Sequence, residues 1–164
     1  FKDSRGCFFE SFNQKKFNEA TGFDINFIQD NQSTSSKGVL RGLHFQTGAH
    51  AQSKLVRVVK GKVLDVCVDL RKDSLTFGKY FSLILDDVSC KQLFIPKGFA
   101  HGFLVLSEQV VFSYKVDAYY DPSSERGFLY NSPTIDLDWG IADTHLIISP
   151  KDLVLPEFST SIYE

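Results

Sequence analysis

Hydrophobic and polar residues alternate along several short stretches of this chain, most regularly between residues 55 and 70. Residues 64–70 carry Leu, Val, Val and Leu at every second position, and this two-residue period predicts a β-strand. A similar run covers residues 55–59, and Lys60-Gly61 between the two runs predicts a hairpin turn. Further strands are predicted at residues 80–85, 92–95, 103–106 and 110–116. Many short strands separated by turn residues predict a β-sandwich or barrel.

Helical patterns are few and short. Residues 13–20 predict one early helix that stops near Gly22, and residues 141–145 predict a second, shorter one. The chain contains no internal repeat, low-complexity tract or linker, so we interpret residues 1–164 as a single domain. The predicted class is all-β, with a few short helices at the periphery.

Composition excludes several functional classes. Hydrophobic residues make up 43% and charged residues 23% of the chain, which is typical of a globular protein. A net charge of −2 gives no basic field for nucleic acid, and no apolar run reaches the ~20 residues that span a membrane. Three cysteines favour a reducing compartment, so we expect a cytoplasmic protein. The 16 phenylalanines must be buried in the core, in a subunit interface or beneath a planar ligand.

Two segments mix apolar residues with polar ones that a strand does not need. The first, residues 39–46, contains His44, and the second, residues 96–103, contains His101. The P-x-G-x-x-H spacing of the second segment resembles the second motif of the cupin superfamily, whose fold is a small jelly-roll barrel. Pro and Gly make a tight turn there, and the histidine enters the barrel on the next strand. A cupin-type jelly roll is therefore expected.

Many cupins bind a metal ion through an H-x-H pair, a nearby Glu and the later His of this second motif. Here the pair reads H-F-Q from His44 to Gln46, and no Glu follows before Lys54. A lysine in the same stretch opposes a bound cation. Without the second histidine and the carboxylate, a divalent metal site is poorly supplied. We therefore expect no metal ligands and no cofactor.

Several longer motifs resemble the dTDP-4-dehydrorhamnose 3,5-epimerase family. They lie at residues 3–6 (DSRG), 27–31 (FIQDN), 38–46 (GVLRGLHFQ), 54–57 (KLVR), 65–71 (DVCVDLR) and 99–103 (FAHGF). The motifs occur in the order of the family and the match extends to about Asp152, which is nearly the whole chain. The family normally has another strand before the first motif. That missing strand and the absence of methionine lead us to expect further residues before Phe1.

The resemblance implies an isomerase that acts on a nucleotide-linked 4-keto-6-deoxy sugar. Members of the family invert the carbons on either side of the ketone, and dTDP-4-dehydro-6-deoxyglucose is the leading substrate. A proton beside a carbonyl is acidic enough to remove when the resulting enolate is stabilised. A base takes that proton from one face and an acid returns one on the other, so neither a metal nor a redox cofactor is needed.

The resemblance implies that His44 is the base and that Asp152 orients it in a dyad. Histidine suits this role because its ordinary pKa lies near working pH. Arg41 is assigned to the same site. However, side chains three residues apart on a regular strand, such as Arg41 and His44, point to opposite faces. Gly42 between them predicts a bulge that turns both side chains inward.

Tyr114 is the implied proton donor. It shares its strand face with Phe112 and Val116, which predicts that it points into the barrel. A phenol is a workable donor to an enolate. Lys54 completes the implied catalytic set, because it and Arg41 would place fixed positive charge where the enolate oxygen becomes negative.

The resemblance also implies a binding site for the nucleotide diphosphate. Tyr120 matches the aromatic residue that stacks on thymine in the family. The other implied binding residues are Arg5, Phe8, Glu10, Gln29, Asp30, Asn31, Arg41, Lys54, His101, Glu125 and Lys151. In the family, the segment from about Arg5 to Glu10 crosses to the site of the partner subunit. A homodimer with exchanged N-terminal segments is therefore expected.

Four residues depart from the family pattern, namely Gln32, Ser53, Phe94 and Tyr130. None of them belongs to the implied catalytic set, but they leave the nucleotide and the sugar open. Alternatives of the same class are another nucleotide-linked 4-keto sugar, such as a GDP-linked heptose, and inversion at one carbon only. A metal-dependent cupin enzyme and a non-catalytic sugar-binding cupin are more distant alternatives.

Overall fold

Two facing, largely antiparallel β-sheets build the described part of the chain, which in this computed structural model comprises residues 1–142 and 145–160. The strands are β1 (Lys2–Asp3), β2 (Gly6–Cys7), β3 (Gln29–Ser36), β4 (Val39–Gln46), β5 (Lys54–Lys60), β6 (Lys62–Asp69), β7 (Tyr80–Asp86), β8 (Gln92–Ile95), β9 (Phe99–Val105), β10 (Gln109–Val116), β11 (Glu125–Gly127) and β12 (Ile147–Ile148). The helices are α1 (Gln14–Thr21) and α2 (Pro150–Leu153), with a 3₁₀ turn at Gly48–His50.

From β3 to β10, strands that follow one another along the chain lie in different sheets, except for β6 and β7, which pair with each other. One sheet has four strands in the order β3-β10-β5-β8. The other has six, in the order β11-β4-β9-β6-β7 with β12 parallel to β4, and β1 pairs with β2 separately. The predicted all-β jelly roll with short peripheral helices is confirmed. Strand β9 begins at Phe99 and not at residue 103, because His101 and Gly102 interrupt the apolar pattern.

The predicted hairpin at Lys60-Gly61 is wrong. Strand β5 pairs with β10 and β8, whereas β6 pairs with β9 and β7, so the two strands lie in different sheets. The turn carries the chain from one sheet to the other. Gly61 adopts a left-handed φ of 90°, and its backbone exchanges hydrogen bonds with Asp87. A two-residue period predicts a strand but does not select its partner.

The central strands β9 and β6 of the six-stranded sheet are buried on both faces, whereas the edge strand β7 is largely exposed. The inner face of the sheet packs against the four-stranded sheet in a cluster that includes Val63 and Phe112. Its outer face is covered by the C-terminal part of the chain, where Phe128, Trp139 and Phe158 form a second cluster with the sheet. Strands β9 and β6 therefore have little contact with solvent, so polar residues on their inner side need hydrogen-bond partners within the protein.

Strand β4 changes its register beside Gly42. The pairing of β4 with β9 is irregular between Arg41 and His44. Gly42 has a φ of 116°, and a Cβ atom there would lie 2.6 Å from the Cα atom of Gly102. Only glycine fits this conformation and this close approach. The irregularity places Leu40 and Leu43 in the outer cluster, which leaves Arg41 and His44 on the inner face.

Helix α1 confirms the helix predicted at residues 13–20. Asn13 caps its start by accepting a hydrogen bond from the backbone N–H of Lys16, and Gly22 ends it with a left-handed φ of 73°. The second predicted helix, at residues 141–145, falls partly on residues 143–144, which lie outside the described residues. In the described chain, no helix is both long enough and apolar enough to cross a membrane.

Aromatic side chains attach the N-terminal segment to the four-stranded sheet. Phe17 packs against Phe12, Phe27 and Phe94, with ring centroids 5.1–6.2 Å apart. The residues that precede this cluster are left uncovered, since Phe1, Phe8 and Phe9 are 95%, 73% and 46% exposed. The first part of the chain therefore presents an apolar surface to its surroundings.

We predict that Gly42→Ala destabilises the fold by at least about 3 kcal/mol, because it adds both backbone strain and a clash with Gly102. Gly48→Ala is the matched control. Gly48 also has a left-handed φ, of 60°, but nothing lies within 4 Å of its Cβ position, so the expected loss is about 1 kcal/mol. Urea unfolding, followed by the fluorescence of the buried Trp139, measures both losses. Equal losses for the two variants would refute the close-approach argument.

Candidate active site

A cavity of about 690 Å³ opens between the two sheets, a size that suits a small-molecule ligand. Polar and charged side chains from both sheets and from the C-terminal segment reach it. They include Asn31, Arg41, His44, Lys54, His101, Tyr114, Lys151 and Asp152. Many of the residues that sequence analysis assigned to the site therefore line one cavity.

The imidazole of His44 and the carboxylate of Asp152 form a hydrogen bond of 2.8 Å between Nε2 and Oδ1. The two residues meet because β12 runs parallel to β4, with Ile147 opposite Val39 and Ile148 opposite Leu40. The chain then enters α2, which brings Asp152 against His44. The structure thus joins the two members of the predicted dyad.

The residues around Asp152 favour both the formation of helix α2 and a negatively charged Asp152 carboxylate. Ser149 caps α2 by accepting a hydrogen bond of 3.2 Å from the backbone N–H of Asp152, and Pro150 occupies the first turn. Burial would raise the pKa of Asp152, but the hydrogen bond and the charge of His44 outweigh burial and lower it. Asp152 is therefore an anionic carboxylate that holds the imidazole of His44 in one orientation.

A second histidine–carboxylate pair lies inside the barrel. Nε2 of His101 is 3.0 Å from both carboxylate oxygens of Asp65, and the two side chains are 8% and 0% exposed. Burial raises the pKa of Asp65, while the charges of His101 and Lys54 oppose the rise. The sequence pattern assigns no role to Asp65. The signal that could have found it is a carboxylate on the same interior strand face as Val63 and Cys67.

Lys54 supplies a positive charge within the cavity. It is the first residue of β5 and is half-buried between the two neighbouring strands. Burial lowers the pKa of Lys54 to about 8, and the charges of Asp65 and Glu125 limit the fall. Lys54 is therefore charged at neutral pH but loses its proton soon above it. Such a charge responds strongly to any negative group that enters the cavity.

Tyr114 projects into the cavity from the four-stranded sheet, whereas His44 projects from the six-stranded sheet. Its ring packs against Phe112, with centroids 6.3 Å apart, and the predicted inward orientation is confirmed. Burial raises the pKa of Tyr114, although Arg41 opposes the rise. The phenol therefore keeps its proton through the neutral range and is able to donate it.

Arg41 lines the same cavity as His44, as the predicted bulge requires. Its Nε atom donates a hydrogen bond of 3.1 Å to Oγ of Ser35 on β3. This bond fixes one edge of the guanidinium and leaves its remaining N–H groups for a ligand. A positive charge is thereby held at the mouth of the cavity.

Glu125 joins two other predicted binding residues at the edge of the cavity. It accepts hydrogen bonds from the phenol of Tyr120 at 3.0 Å and from Nζ of Lys151 at 2.5 Å. Burial would raise the pKa of Glu125, but these two bonds outweigh it and lower the pKa. The three side chains therefore form one connected group, with Lys151 on its cavity side.

The remaining predicted binding residues are more scattered. On β3, Asn31 lines the cavity and accepts a hydrogen bond from Gln29, whereas Asp30 pairs with Lys115 away from it. Arg5, Phe8 and Glu10 do not reach the cavity of their own chain. Arg5 bonds Asp3, Glu10 bonds Lys16, and Phe8 is exposed. The single chain therefore does not bring its N-terminal residues to the His44 site.

The donor set does not suit a divalent metal. Within residues 1–142 and 145–160, no group of three or more His, Cys, Asp or Glu side chains is close enough to hold a metal ion. His44 and His101 each direct Nε2 at a carboxylate. Gln46, which stands where metal-binding cupins have a second histidine, bonds backbone groups of two loops.

This arrangement can move protons across a bound molecule. The imidazole of His44, paired with a carboxylate from α2, projects from one sheet, and a protonated phenol projects from the opposite sheet. A proton can therefore be removed from one side of a ligand and another supplied from the other side. Positive charges from Lys54 and Arg41 would stabilise negative charge that develops between them.

Comparisons with known proteins agree on one family. A sequence model described as dTDP-4-dehydrorhamnose 3,5-epimerase matches residues 1–160. The protein of that name from Escherichia coli strain K12 is 53% identical over 152 residues, which cover 93% of this chain and 82% of that protein.

Solved structures give the same result. A dTDP-4-dehydrorhamnose 3,5-epimerase from Elizabethkingia anophelis superposes with a TM-score of 0.94 at 50% identity, covering 99% of this chain and 89% of that one. A dTDP-6-deoxy-D-glucose-3,5-epimerase from Legionella pneumophila, solved in complex with dTDP-4-keto-L-rhamnose, gives a TM-score of 0.89 at 44% identity. That match covers 96% of this chain and 88% of that one.

We predict that Lys54 titrates near pH 8 in the ligand-free protein, because burial disfavours its charged form. Asp65→Asn should lower the pKa of Lys54 further, since it removes a charge that stabilises the ammonium group. NMR titration of the lysine side chains measures both values. Lys16 is the internal reference, because its pKa is raised by Glu10 and it keeps its charge over this range. A Lys54 that titrates above pH 10 would contradict the assignment of a buried cation.

Proposed function

The chain belongs to the dTDP-4-dehydrorhamnose 3,5-epimerase family, and we propose that it inverts C3 and C5 of dTDP-4-dehydro-6-deoxyglucose without a metal or redox cofactor. As a member of this family it is an isomerase. One observation carries the assignment of roles: the imidazole of His44, which is bonded to Asp152, and the phenol of Tyr114 project from opposite sheets into a single cavity. Inversion requires this separation, because a base that returned its own proton would restore the original centre.

His44 is the base in this proposal. Asp152 holds a proton on Nε2, so the lone pair on Nδ1 is available to take the proton from the carbon beside the ketone. The anionic carboxylate also stabilises the imidazolium that forms. Asp152 thus keeps the ring in one orientation and favours its charged state, which makes it the partner that the base requires.

Tyr114 is the acid that completes the inversion. Its raised pKa keeps the phenol protonated at neutral pH, and its strand presents it on the side of the cavity opposite His44. Between the two steps the sugar is an enolate. Lys54 and Arg41 supply the positive charges that stabilise the enolate oxygen, and His101, backed by Asp65, binds the sugar beside Lys54.

The nucleotide diphosphate occupies the mouth of the cavity in this proposal. Lys151 and Arg41 offer positive charge to the two phosphates, and Asn31 offers a neutral amide nearby. Tyr120, held by Glu125, provides the flat surface on which the thymine base stacks. The remaining binding residues from β3, Gln29 and Asp30, support Asn31 and the adjoining edge of the sheet.

The experiment that tests this function is incubation in heavy water with a panel of nucleotide-linked 4-keto sugars, followed by NMR. We expect deuterium at C3 and C5 of the dTDP-linked hexose and formation of dTDP-4-dehydrorhamnose. Preference for a GDP-linked heptose would reassign the substrate, and deuterium at one carbon alone would limit the reaction to a single inversion. No exchange with any of these sugars would overturn the proposal.

We predict that His44→Ala lowers the exchange of the sugar protons with solvent by about 10²–10⁴-fold, the usual cost of losing a general base. His145→Ala is the matched control, because His145 is exposed and does not line the cavity. It should exchange at the rate of the unaltered protein. Near-normal exchange in His44→Ala would remove His44 from the role of base.

We further propose a cytoplasmic homodimer in which the N-terminal segment, with Arg5, Phe8 and Glu10, completes the site of the partner subunit. The exposed phenylalanines of this segment and the absence of these three residues from their own cavity support the exchange. The three cysteines are all free, which fits a reducing compartment.

Mixing two inactive variants tests the exchange. We predict that Arg5→Ala and His44→Ala, unfolded together and refolded as mixed dimers, recover activity. Each mixed dimer then holds one site with both residues intact, which is about one quarter of all sites after random pairing. Light scattering at micromolar concentration checks that dimers form. No recovery in a confirmed mixed dimer would show that the segment serves its own chain.

A further inference from the structure

Gln46 is a buried polar residue without a role in the proposed chemistry. It is the last residue of β4, two positions after His44, and only 5% of it is exposed. It does not line the cavity, so it does not contact the substrate there. Burying a side-chain amide costs free energy unless its donors and acceptor are bonded. The partners of the amide therefore indicate what it does.

The amide of Gln46 makes three hydrogen bonds, all to backbone groups. Its Nε2 atom donates to the carbonyl oxygens of His50, at 2.7 Å, and Tyr119, at 3.2 Å. Its Oε1 atom accepts from the backbone N–H of Asp121 at 2.7 Å. Both ends of the amide are used, and two of the three bonds go to one loop.

That loop, residues 117–124, connects β10 to β11 and carries Tyr120. Gln46 bonds the residue before Tyr120 and the residue after it. Other bonds hold the ends of the loop: Gln52 donates to the carbonyl of Ala118 at 2.8 Å, and Thr47 donates through its backbone to Ser124 at 3.1 Å. The middle of the loop is held by Gln46, while the ring of Tyr120 itself is 52% exposed.

We infer that Gln46 is a positioning residue for the nucleotide base: it fixes the backbone on both sides of Tyr120 and so preorganises the ring on which the base stacks. This inference rests on the proposed function, which assigns the base to Tyr120. Gln46 acts through Tyr120 and is not a catalytic residue. A ring that is already in place avoids the entropy of ordering a loop when the ligand binds.

An amide is the side chain that this position requires. Two donors and one acceptor must lie in one plane to reach two carbonyl oxygens and one N–H. A carboxylate has no donor and would face two carbonyl oxygens with a negative charge. Gln46→Glu therefore keeps the shape of the side chain but loses the bonds to the carbonyl oxygens of His50 and Tyr119. Gln46→Met keeps the volume without any charge and loses all three bonds.

The test measures Kd for dTDP by calorimetry together with kcat for the full substrate. For both Gln46→Glu and Gln46→Met we expect dTDP to bind about 10-fold more weakly, a change of about 1.4 kcal/mol, because the ring on which the base stacks is no longer held in place. We expect kcat at saturation to stay within about threefold, because the groups that transfer protons are unchanged. Affinity for inorganic pyrophosphate, which has no base, should not change.

Gln14→Glu is the matched control. Gln14 also donates its amide to a backbone carbonyl, that of Ile25, but it lies on α1 away from the loop. It should leave Kd for dTDP unchanged. A loss of kcat in the Gln46 variants as large as the loss of affinity would overturn the inference. It would show that the substitutions disturb strand β4 and the position of His44.

A double-mutant cycle with Tyr120→Ala separates this inference from the proposed function. If Gln46 acts through the ring, Gln46→Met should weaken dTDP binding little once Tyr120 has been removed. Equal effects in both backgrounds would overturn the inference while the base site stands. Unchanged affinity in Tyr120→Ala alone would show that the base binds elsewhere, and both assignments would then fall.

Discussion

The pairing of His44 with Asp152 depends on the cover over the outer face of the six-stranded sheet. Asp152 belongs to a C-terminal segment that is held there by Phe128, Trp139 and Phe158. Each large apolar side chain that is fully buried contributes about 1.5–3 kcal/mol, whereas a hydrogen bond contributes a net ~1 kcal/mol. Packing therefore holds the segment, and the hydrogen bond directs the imidazole. The orientation of the His44 imidazole is therefore a consequence of the second core.

The same burial sets the electrostatics inside the barrel. Because β6 is covered on both faces, the side chain of Asp65 is 0% exposed and is bonded to His101. Lys54 lies nearby with its pKa lowered to about 8. Fixed charges in such an environment interact more strongly than they do in water. The site thus offers an enolate a charge distribution that exists before the substrate arrives.

Much of this could be predicted from the sequence, and the failures have physical causes. Strand β8 matches its predicted residues, because a short apolar run between turns has few alternatives. The hairpin at Lys60-Gly61 failed because periodicity carries no information on the strand partner. Asp65 was missed because a polar residue that alternates with apolar ones in a strand is usually on a face exposed to solvent. The resemblance to a family supplied Asp152, since no local pattern connects it to His44, 108 residues away.

The most direct test of the two-sided mechanism is Tyr114→Phe, assayed by NMR with dTDP-4-dehydro-6-deoxyglucose in heavy water. This change keeps the ring and its packing against Phe112 and removes the phenolic proton. We expect that deuterium still enters the sugar through His44 and a reversible enolate, while net inversion falls by about 10²-fold or more. A parallel fall of exchange and inversion, or no fall in either, would contradict the assignment of Tyr114 as the acid on the opposite face.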